Sequence, residues 1–116
     1  MPVLAATSPT DCFEAAFEAS KMALEHMTPV VLLTDAFIAN GSAAWKLPKL
    51  AEYPAINPPF VPAELKGAWT PYQRNGEGVR YWAVPGTEGF THILGGLEKD
   101  NATGAISTNP ENHHLM

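Results

Sequence analysis

Pro29-Val-Val-Leu-Leu-Thr-Asp-Ala-Phe-Ile-Ala-Asn-Gly-Ser42 is the stretch of sequence that decides the fold. Its first part, Val30–Thr34, is a short apolar run of the kind that forms buried strands in parallel sheets. Met1–Thr7 contains a similar run, and the residues between the two runs have the spacing of a helix. Strand, helix and strand within about thirty residues predict a βαβ unit with a right-handed crossover. The predicted fold class is therefore α/β.

The predicted helix has a clear beginning and a clear end. Ser8-Pro-Thr-Asp11 combines an N-cap, a proline at the first helical position and a carboxylate that suits a helix N-terminus. Thr28-Pro29 stops the helix, so we expect it to end at about His26 or Met27. A stripe at helical spacing predicts the apolar face of the helix. Its members are Phe13, Phe17, Ser20, Leu24 and Met27, widened by Ala16 and Ala23.

Polar residues follow the second strand at its carboxyl end. In open α/β sheets, ligands bind outside the carboxyl ends of the strands, so Asp35 and Asn40 are candidate cofactor-binding residues. The alternative is purely structural, with Asp35 capping a short helix over Ala36–Ala39 and Gly41 ending it. The sequence leaves both interpretations open, and capping is the more ordinary one.

The remainder of the chain is rich in proline and glycine. Most of the eleven prolines lie between Pro48 and Pro85, which excludes a long regular helix there. We expect at most short strands, at Arg80–Val84 and Thr91–Leu94. The predicted organisation is residues 1–47 as the C-terminal part of an α/β domain and residues 48–116 as an irregular connecting arm that leads to the next domain. Aromatic, charge-poor segments suit interfaces, so we expect Pro48–Pro85 to lie over another domain or subunit.

Two features indicate a piece of a larger domain. A two-stranded sheet exposes an unpaired edge on each strand and is not stable by itself. Asn109-Pro110-Glu-Asn-His-His-Leu-Met116 has the signals of a helix start, and a helix that short is unstable in water. We therefore expect the chain to be a fragment that associates or aggregates when it is expressed alone.

Composition argues against several classes of partner. Only 16% of the residues are charged, the net charge is −5, and Lys and Arg are not clustered. Nucleic acids and anionic membranes are therefore not expected partners. The apolar runs are far shorter than the ~20 residues of a membrane helix. One cysteine, Cys12, and the lack of a secretory signal predict a cytoplasmic location.

The sequence shows no constellation of catalytic or metal-ligating residues. His26, His92, His113 and His114 lack the spacing of a metal site, and a single cysteine offers no thiolate cluster. There is no Gly-x-Ser-x-Gly elbow, and the glycine pairs precede no helix that could cradle a phosphate. We therefore predict no catalytic residue and no metal ligand in this chain.

Three runs carry a resemblance to a known family. They are Pro29–Ser42, Pro85-Gly-Thr-Glu-Gly-Phe-Thr-His-Ile-Leu-Gly-Gly-Leu-Glu-Lys99 and Pro110–Met116. Together they resemble the alpha chain of 2-oxoacid:ferredoxin oxidoreductases, and the 2-oxoglutarate-type members in particular. The likeness extends over nearly all of this chain but over a minor part of the family's alpha subunit. It implies that residues 1–47 are part of the domain that binds the aminopyrimidine half of thiamine diphosphate.

The resemblance implies an enzyme function for the whole complex. The family decarboxylates a 2-oxoacid oxidatively with thiamine diphosphate, transfers the acyl group to coenzyme A and passes the electrons to ferredoxin. It implies a beta subunit that holds an iron–sulfur cluster and most contacts to Mg and the diphosphate. The family's cofactor glutamate and substrate-contacting residues match no position here, so we expect the fragment alone to hold no cofactor and to be inactive. The alternative is a stand-alone protein-binding or assembly module without catalysis.

Overall fold

The computed structural model describes residues 1–115, and two compact units can be distinguished in the chain. The first unit comprises Met1–Pro58, and the second begins at Pro59. The predicted boundary between residues 47 and 48 refers to domains of a longer protein and stays a prediction. The parallel sheet and its helix lie wholly in the first unit.

The first unit contains a βαβ unit followed by a short helix. Strand β1 (Val3–Ala5) leads into helix α1 (Asp11–His26), strand β2 (Val31–Leu33) and helix α2 (Ala36–Asn40). The two strands are parallel and pair residue by residue over their whole length. The predicted α/β class is confirmed. Each strand has only three residues and is shorter than the apolar run that predicted it.

Helix α1 begins at Asp11, two residues after the predicted first position at Pro9. Ser8 still contributes to the helix start, because the Asp11 N–H donates to the Ser8 Oγ at 3.2 Å. The Asp11 carboxylate in turn accepts from the N–H and the hydroxyl of Thr7, at 2.8 and 2.9 Å. These bonds close a turn ahead of the helix, which is why Ser8 lies outside it. The helix ends as predicted, where Met27 adopts the left-handed conformation with a φ of 49°.

The most buried residues of α1 lie beside the predicted apolar stripe. Ala15 and Ala19 are the buried residues of the helix, whereas Ser20 from the stripe is exposed. The other residues of the stripe are half-buried. Two of them, Phe13 and Phe17, contact aromatic side chains that follow α2 in sequence. The stripe therefore includes residues that pack in the structure but omits the two most buried ones.

The second unit consists mainly of turns. It contains a 3-10 helix at Ala63–Leu65, and isolated bridges join Phe60 to Trp82, Arg74 to Arg80 and Lys99 to Ile106. The short strands predicted at Arg80–Val84 and Thr91–Leu94 are not formed, since the first range takes part only in single bridges and the second in none. Gly86 and Gly89 between them have φ values of 93° and 85°. These turns interrupt the extended backbone that a strand requires.

The described part of the chain ends in the short helix that the sequence predicted, α3 (Pro110–Leu115). Its buried Asn112 donates from Nδ2 to the Glu98 carboxylate at 3.0 Å and to the Lys99 carbonyl at 2.7 Å. These bonds tie the helix to the chain that precedes it. Met116, the last residue of the predicted run, lies outside the described residues. Within residues 1–115, no helix is long and apolar enough to cross a membrane.

The hydrophobic core of the described chain is very small. Its buried apolar residues are Ala6, Ala15, Ala19 and Phe90, and no large side chain is less than 2% exposed. The chain exposes 8269 Å², whereas a compact monomer of this mass exposes about 6,200 Å² and two separate domains of half that mass about 7,400 Å². The expectation of strands buried on both faces is therefore not met within these residues. Apolar side chains that a finished domain would bury remain open to solvent.

Gly41 provides a test of how closely the elements of the first unit pack. A Cβ at this position would lie 2.8 Å from the Phe37 carbonyl oxygen and 3.0 Å from the Pro9 Cγ. We expect Gly41→Ala to lower the free energy of unfolding by about 1–3 kcal/mol, because the added methyl group has no room. Gly76→Ala is the matched control, since nothing lies within 4 Å of its added methyl group. Equal denaturant midpoints for the two variants would contradict the close packing.

Candidate functional site

The carboxyl ends of β1 and β2 form one edge of the parallel pair, where ligands of α/β proteins commonly bind. The chain leaving β1 runs through Thr7 and Ser8 into α1, and the chain leaving β2 runs through Asp35 into α2. Gly41 at the end of α2 lies against Pro9 in the turn that precedes α1. The two loops are therefore neighbours, and their polar side chains are the first place to look for a site.

Both candidate residues at this edge make hydrogen bonds to the backbone of α2. Asp35 accepts a hydrogen bond at 2.7 Å from the Ile38 N–H, and Gly41 follows the last residue of α2. The structural interpretation of Asp35 and Gly41 is thus confirmed. Asn40 donates from Nδ2 to the Ala36 carbonyl at 2.8 Å. Contact of Asp35 or Asn40 with a cofactor stays a prediction.

The electrostatics of this edge are negative. Hydrogen bonds from the Thr7 backbone N–H and then the Thr7 hydroxyl hold the pKa of the Asp11 carboxyl below its usual value. Asp11 is therefore ionised at neutral pH, at the N-terminus of α1 where a negative charge is favourable. Lys21, in the middle of α1, is the only Lys or Arg among the first 42 residues. The Asp11 carboxylate therefore gives this edge a negative charge.

The segment after α2 lies along helix α1, which the sequence did not predict. The Tyr53 hydroxyl donates to the Glu14 carboxylate, and the Asn57 N–H donates to the Glu25 carboxylate at 3.0 Å. The Tyr53 ring also packs edge-on against Phe17, with centroids 4.8 Å apart. Part of the segment that was expected to cover another subunit therefore contacts its own helix. One indication of this contact was present in the sequence. Glu14 and Glu25 lie three helical turns apart on one face of α1, so one segment can reach both carboxylates.

These contacts shift the ionisation of Tyr53. The hydrogen bond to the Glu14 carboxylate, followed by partial desolvation and the negative charges of Glu14 and Glu52, raises the pKa of the Tyr53 phenol to about 12. A small polar cavity of about 340 Å³ lies beside it, lined among others by Trp45, Lys46 and Lys49. Lys49 pairs with Glu52 at 3.2 Å, and both side chains are exposed. Such exposed pairs contribute little to stability. The Glu14 carboxylate, which also lines the cavity, is engaged by the Tyr53 hydroxyl.

The remaining candidates from the sequence are dispersed. The Cys12 thiol lies 3.6 Å from the Ser8 carbonyl, and the His92 Nδ1 lies 2.8 Å from the Phe90 carbonyl. His113 Nδ1 is 3.2 Å from the Glu98 carboxylate in an exposed pair. No group of three His, Cys, Asp or Glu side chains in residues 1–115 could hold a metal ion. The described chain thus brings no set of acid, base and nucleophile together.

Comparison with known proteins places the chain beside one enzyme family. The family model described as pyruvate flavodoxin/ferredoxin oxidoreductase, thiamine diphosphate-binding, matches residues 1–104. Over 116 residues the chain is 47% identical to the 2-oxoglutarate oxidoreductase subunit KorA of Mycobacterium tuberculosis. That match covers 98% of this chain and 17% of the length of the relative. No solved structure matches the chain significantly.

Two carboxylates at the carboxyl edge do not suit direct contact with the diphosphate of thiamine diphosphate. A diphosphate needs cationic side chains or free N–H donors, such as those of an open helix N-terminus. At the carboxyl edge, the Asp11 carboxylate occupies the start of α1, and Asp35 already accepts from the Ile38 N–H at the start of α2. An ionised carboxylate at this position repels a diphosphate.

Substitution of Asp35 separates the capping role from the cofactor role. In the complete protein, we expect Asp35→Ala to lower the free energy of unfolding by about 0.5–2 kcal/mol, because the Ile38 N–H loses its acceptor. Asp35→Ser is the matched control, since serine caps about as well as aspartate. Thiamine diphosphate affinity, measured by calorimetry, should be unchanged in both variants. Loss of affinity in both, with stability retained in Asp35→Ser, would instead place Asp35 at the cofactor.

The hydrogen bond between Tyr53 and Glu14 predicts a pH dependence in the alkaline range. The neutral phenol donates the bond, so its stabilising contribution is complete below the unfolded-state pKa of about 10 and is lost as the pH rises through about 12. In a spectrophotometric titration, Tyr53→Phe should remove an ionisation near pH 12. Glu14→Gln should move that ionisation towards pH 10, because it removes the carboxylate acceptor. Glu18→Gln, at an exposed position of the same helix, is the control and should leave the ionisation in place. Ionisation of Tyr53 near pH 10 in the unsubstituted protein would contradict the contact.

Proposed function

The chain belongs to the pyruvate flavodoxin/ferredoxin oxidoreductase family, in its thiamine diphosphate-binding part, and from this membership we propose that it is a segment of the alpha subunit of a 2-oxoacid:ferredoxin oxidoreductase. The observation that carries the proposal is the 47% identity, over 98% of the chain, to a 2-oxoglutarate oxidoreductase subunit. The proposed 2-oxoacid is therefore 2-oxoglutarate.

The proposed reaction belongs to the whole complex. 2-Oxoglutarate is decarboxylated oxidatively, its acyl group passes to coenzyme A, and the electrons pass to ferredoxin. Thiamine diphosphate and Mg supply the decarboxylation chemistry, and an iron–sulfur cluster in a partner beta subunit carries the electrons. We also propose a cytoplasmic location, which the single free Cys12 supports.

The role proposed for this segment is structural support within the subunit. The parallel strands and α1 form a unit of the kind found in pyrimidine-binding α/β domains, and the polar groups at its carboxyl edge are used in capping. The described residues contain no acid, base or nucleophile arranged for catalysis. By itself the segment is therefore expected to be inactive, while its loss from the subunit would abolish activity.

The large exposed apolar surface favours a second candidate function, a stand-alone module that binds other proteins. Phe37 is 81% exposed and Leu47 and Leu50 are each 75% exposed. Such exposure marks a protein-binding surface in a monomer that is complete. The two candidates differ in the length of the polypeptide that carries the sequence and in whether that polypeptide takes part in turnover.

The deciding experiment is to purify the native polypeptide with whatever accompanies it, and to measure both its intact mass and its activity. We expect a mass far above 12.5 kDa, an accompanying subunit with an iron–sulfur cluster, and reduction of ferredoxin that requires both 2-oxoglutarate and coenzyme A. Pyruvate in place of 2-oxoglutarate is the substrate control, and omission of thiamine diphosphate is the cofactor control.

Two outcomes would overturn this proposal in different ways. A 12.5 kDa polypeptide without oxidoreductase activity would leave only the protein-binding module. A large, active complex that uses pyruvate and not 2-oxoglutarate would retain the enzyme class and reject the proposed substrate. Mass and substrate specificity are both measured on the same preparation. The mass decides between the two candidate functions, and the specificity decides the substrate.

A further inference from the structure

A cavity in the second unit has an aromatic floor. Trp69 packs edge-on against Phe90, with ring centroids 5.8 Å apart, and against His92, with centroids 4.9 Å apart. Phe90 is 6% exposed and anchors the group, while the His92 Nδ1 is held 2.8 Å from the Phe90 carbonyl. Ile93 and Ile106 stand on the rim of this cavity, which has a volume of about 660 Å³. We call it the Trp69 cavity.

The wall that holds Ile106 is fixed by a tight turn. The Asp100 Oδ1 accepts hydrogen bonds from the backbone N–H groups of Ala102 and Thr103, at 3.1 and 2.7 Å, and from the Thr103 hydroxyl at 2.8 Å. These hydrogen bonds, with that from the Thr103 N–H as the largest cause, hold the pKa of the Asp100 carboxyl below its usual value. The Asp100 N–H also donates to the Ala105 carbonyl at 2.7 Å, just before Ile106. The cavity is thus shaped by the described residues themselves.

The chemistry of the Trp69 cavity excludes a charged occupant. None of the described residues that line it is Asp, Glu, Lys or Arg. Polyanions bind through Arg and Lys side chains, which this lining lacks. The Lys66 side chain packs against Gly89 at the edge of the cavity and is paired with Glu88. The rim is strongly apolar, since Ile93 is 83% exposed and Ile106 is 57% exposed. An apolar surface of this kind calls for an apolar partner.

A second observation shows that the aromatic cluster is incomplete. The indole Nε1 of Trp69 is buried, and the described residues supply no hydrogen-bond acceptor for it. Buried polar groups in finished proteins are almost always satisfied, because an unpaired one costs about 1–3 kcal/mol. The indole N–H can gain an acceptor only if the aromatic cluster repacks, and a polypeptide segment would then bring carbonyl acceptors as well as apolar side chains.

We infer that the Trp69 cavity receives apolar side chains from another part of the same, longer polypeptide. The inference rests on the proposed function, because it requires the chain to be a segment of a larger alpha subunit. The relative from Mycobacterium tuberculosis has most of its length outside the region matched here, since the match covers 17% of it. A covalently connected segment has a high effective concentration at the cavity compared with a separate chain.

The distribution of exposed apolar side chains also favours the same polypeptide over a separate partner. A docking site on a finished protein is a single patch on a surface that is otherwise mostly polar. Here large apolar side chains are exposed in both units, from Val3 and Phe37 in the first to Leu97 and Ile106 in the second. Exposure that extends over the whole sequence is typical of residues that belong to the interior of a larger domain.

Photo-crosslinking in the full-length subunit identifies the occupant. Benzoylphenylalanine replaces Ile93 on the rim, and in a separate variant it replaces the exposed Glu77 as the matched control in the same unit. We expect the Ile93 variant to crosslink to a peptide of the same chain that lies outside residues 1–116, with no change in chain mass. The Glu77 variant should give no such product.

Hydrogen exchange of the unsubstituted subunit provides a measurement that does not depend on folding of a variant. We expect the amides of Ile93 and Leu94, which lie in no helix or strand, to exchange at least about tenfold slower than unprotected amides, because the occupant covers them. Free exchange of these amides, or a crosslink to a second copy, to the beta subunit or within residues 1–116, overturns the inference.

The two proposals can fail separately. A subunit that is active on 2-oxoglutarate but crosslinks to another chain would leave the function standing and reject the occupant. A subunit that is inactive in the 2-oxoglutarate assay but gives the expected internal crosslink would reject the function and retain the packing of the Trp69 cavity.

Discussion

The close approach of helix α1 to strands β1 and β2 is the contact on which the first unit depends. Two parallel strands cannot be joined by a tight turn, and their crossover helix must return across the sheet. Ala15 and Ala19 are the buried residues of this helix and are among the few buried side chains of the described chain. Phe13 and Phe17 pack against Trp45 and Tyr53 in the segment after α2. The helix therefore contacts both strands and this later segment.

The helix starts at the carboxyl edge are stabilised locally. The first N–H groups of a helix have no partner within the helix and need other acceptors. Ser8 accepts from one such group in α1, and Asp35 accepts from one in α2. These bonds fix the backbone where each strand leads into a helix.

In the second unit, turns replace regular structure, and their stability comes from local hydrogen bonds. The Asp100 carboxylate organises one turn, and Asn112 fixes the following helix to Glu98 and Lys99. Such bonds define a shape without a large core, because each one involves neighbouring residues. The aromatic cluster of Trp69, Phe90 and His92 is then partly open. The partial exposure of this cluster contributes to the large solvent-exposed area of the described chain.

The sequence by itself determined the features that depend on neighbouring residues. The βαβ order, the end of α1 before Met27, the Asp35 cap and the start of α3 all follow from propensities and capping within a few positions. The family resemblance was also readable, because it rests on long runs of sequence. Tertiary structure alone decided that Ala15 and Ala19 are the buried residues of α1, that Tyr53 bonds to Glu14, and that Trp69 and Ile106 border one cavity. The physical reason is that these contacts join residues far apart in sequence, and their free energy depends on packing in three dimensions that no local pattern records.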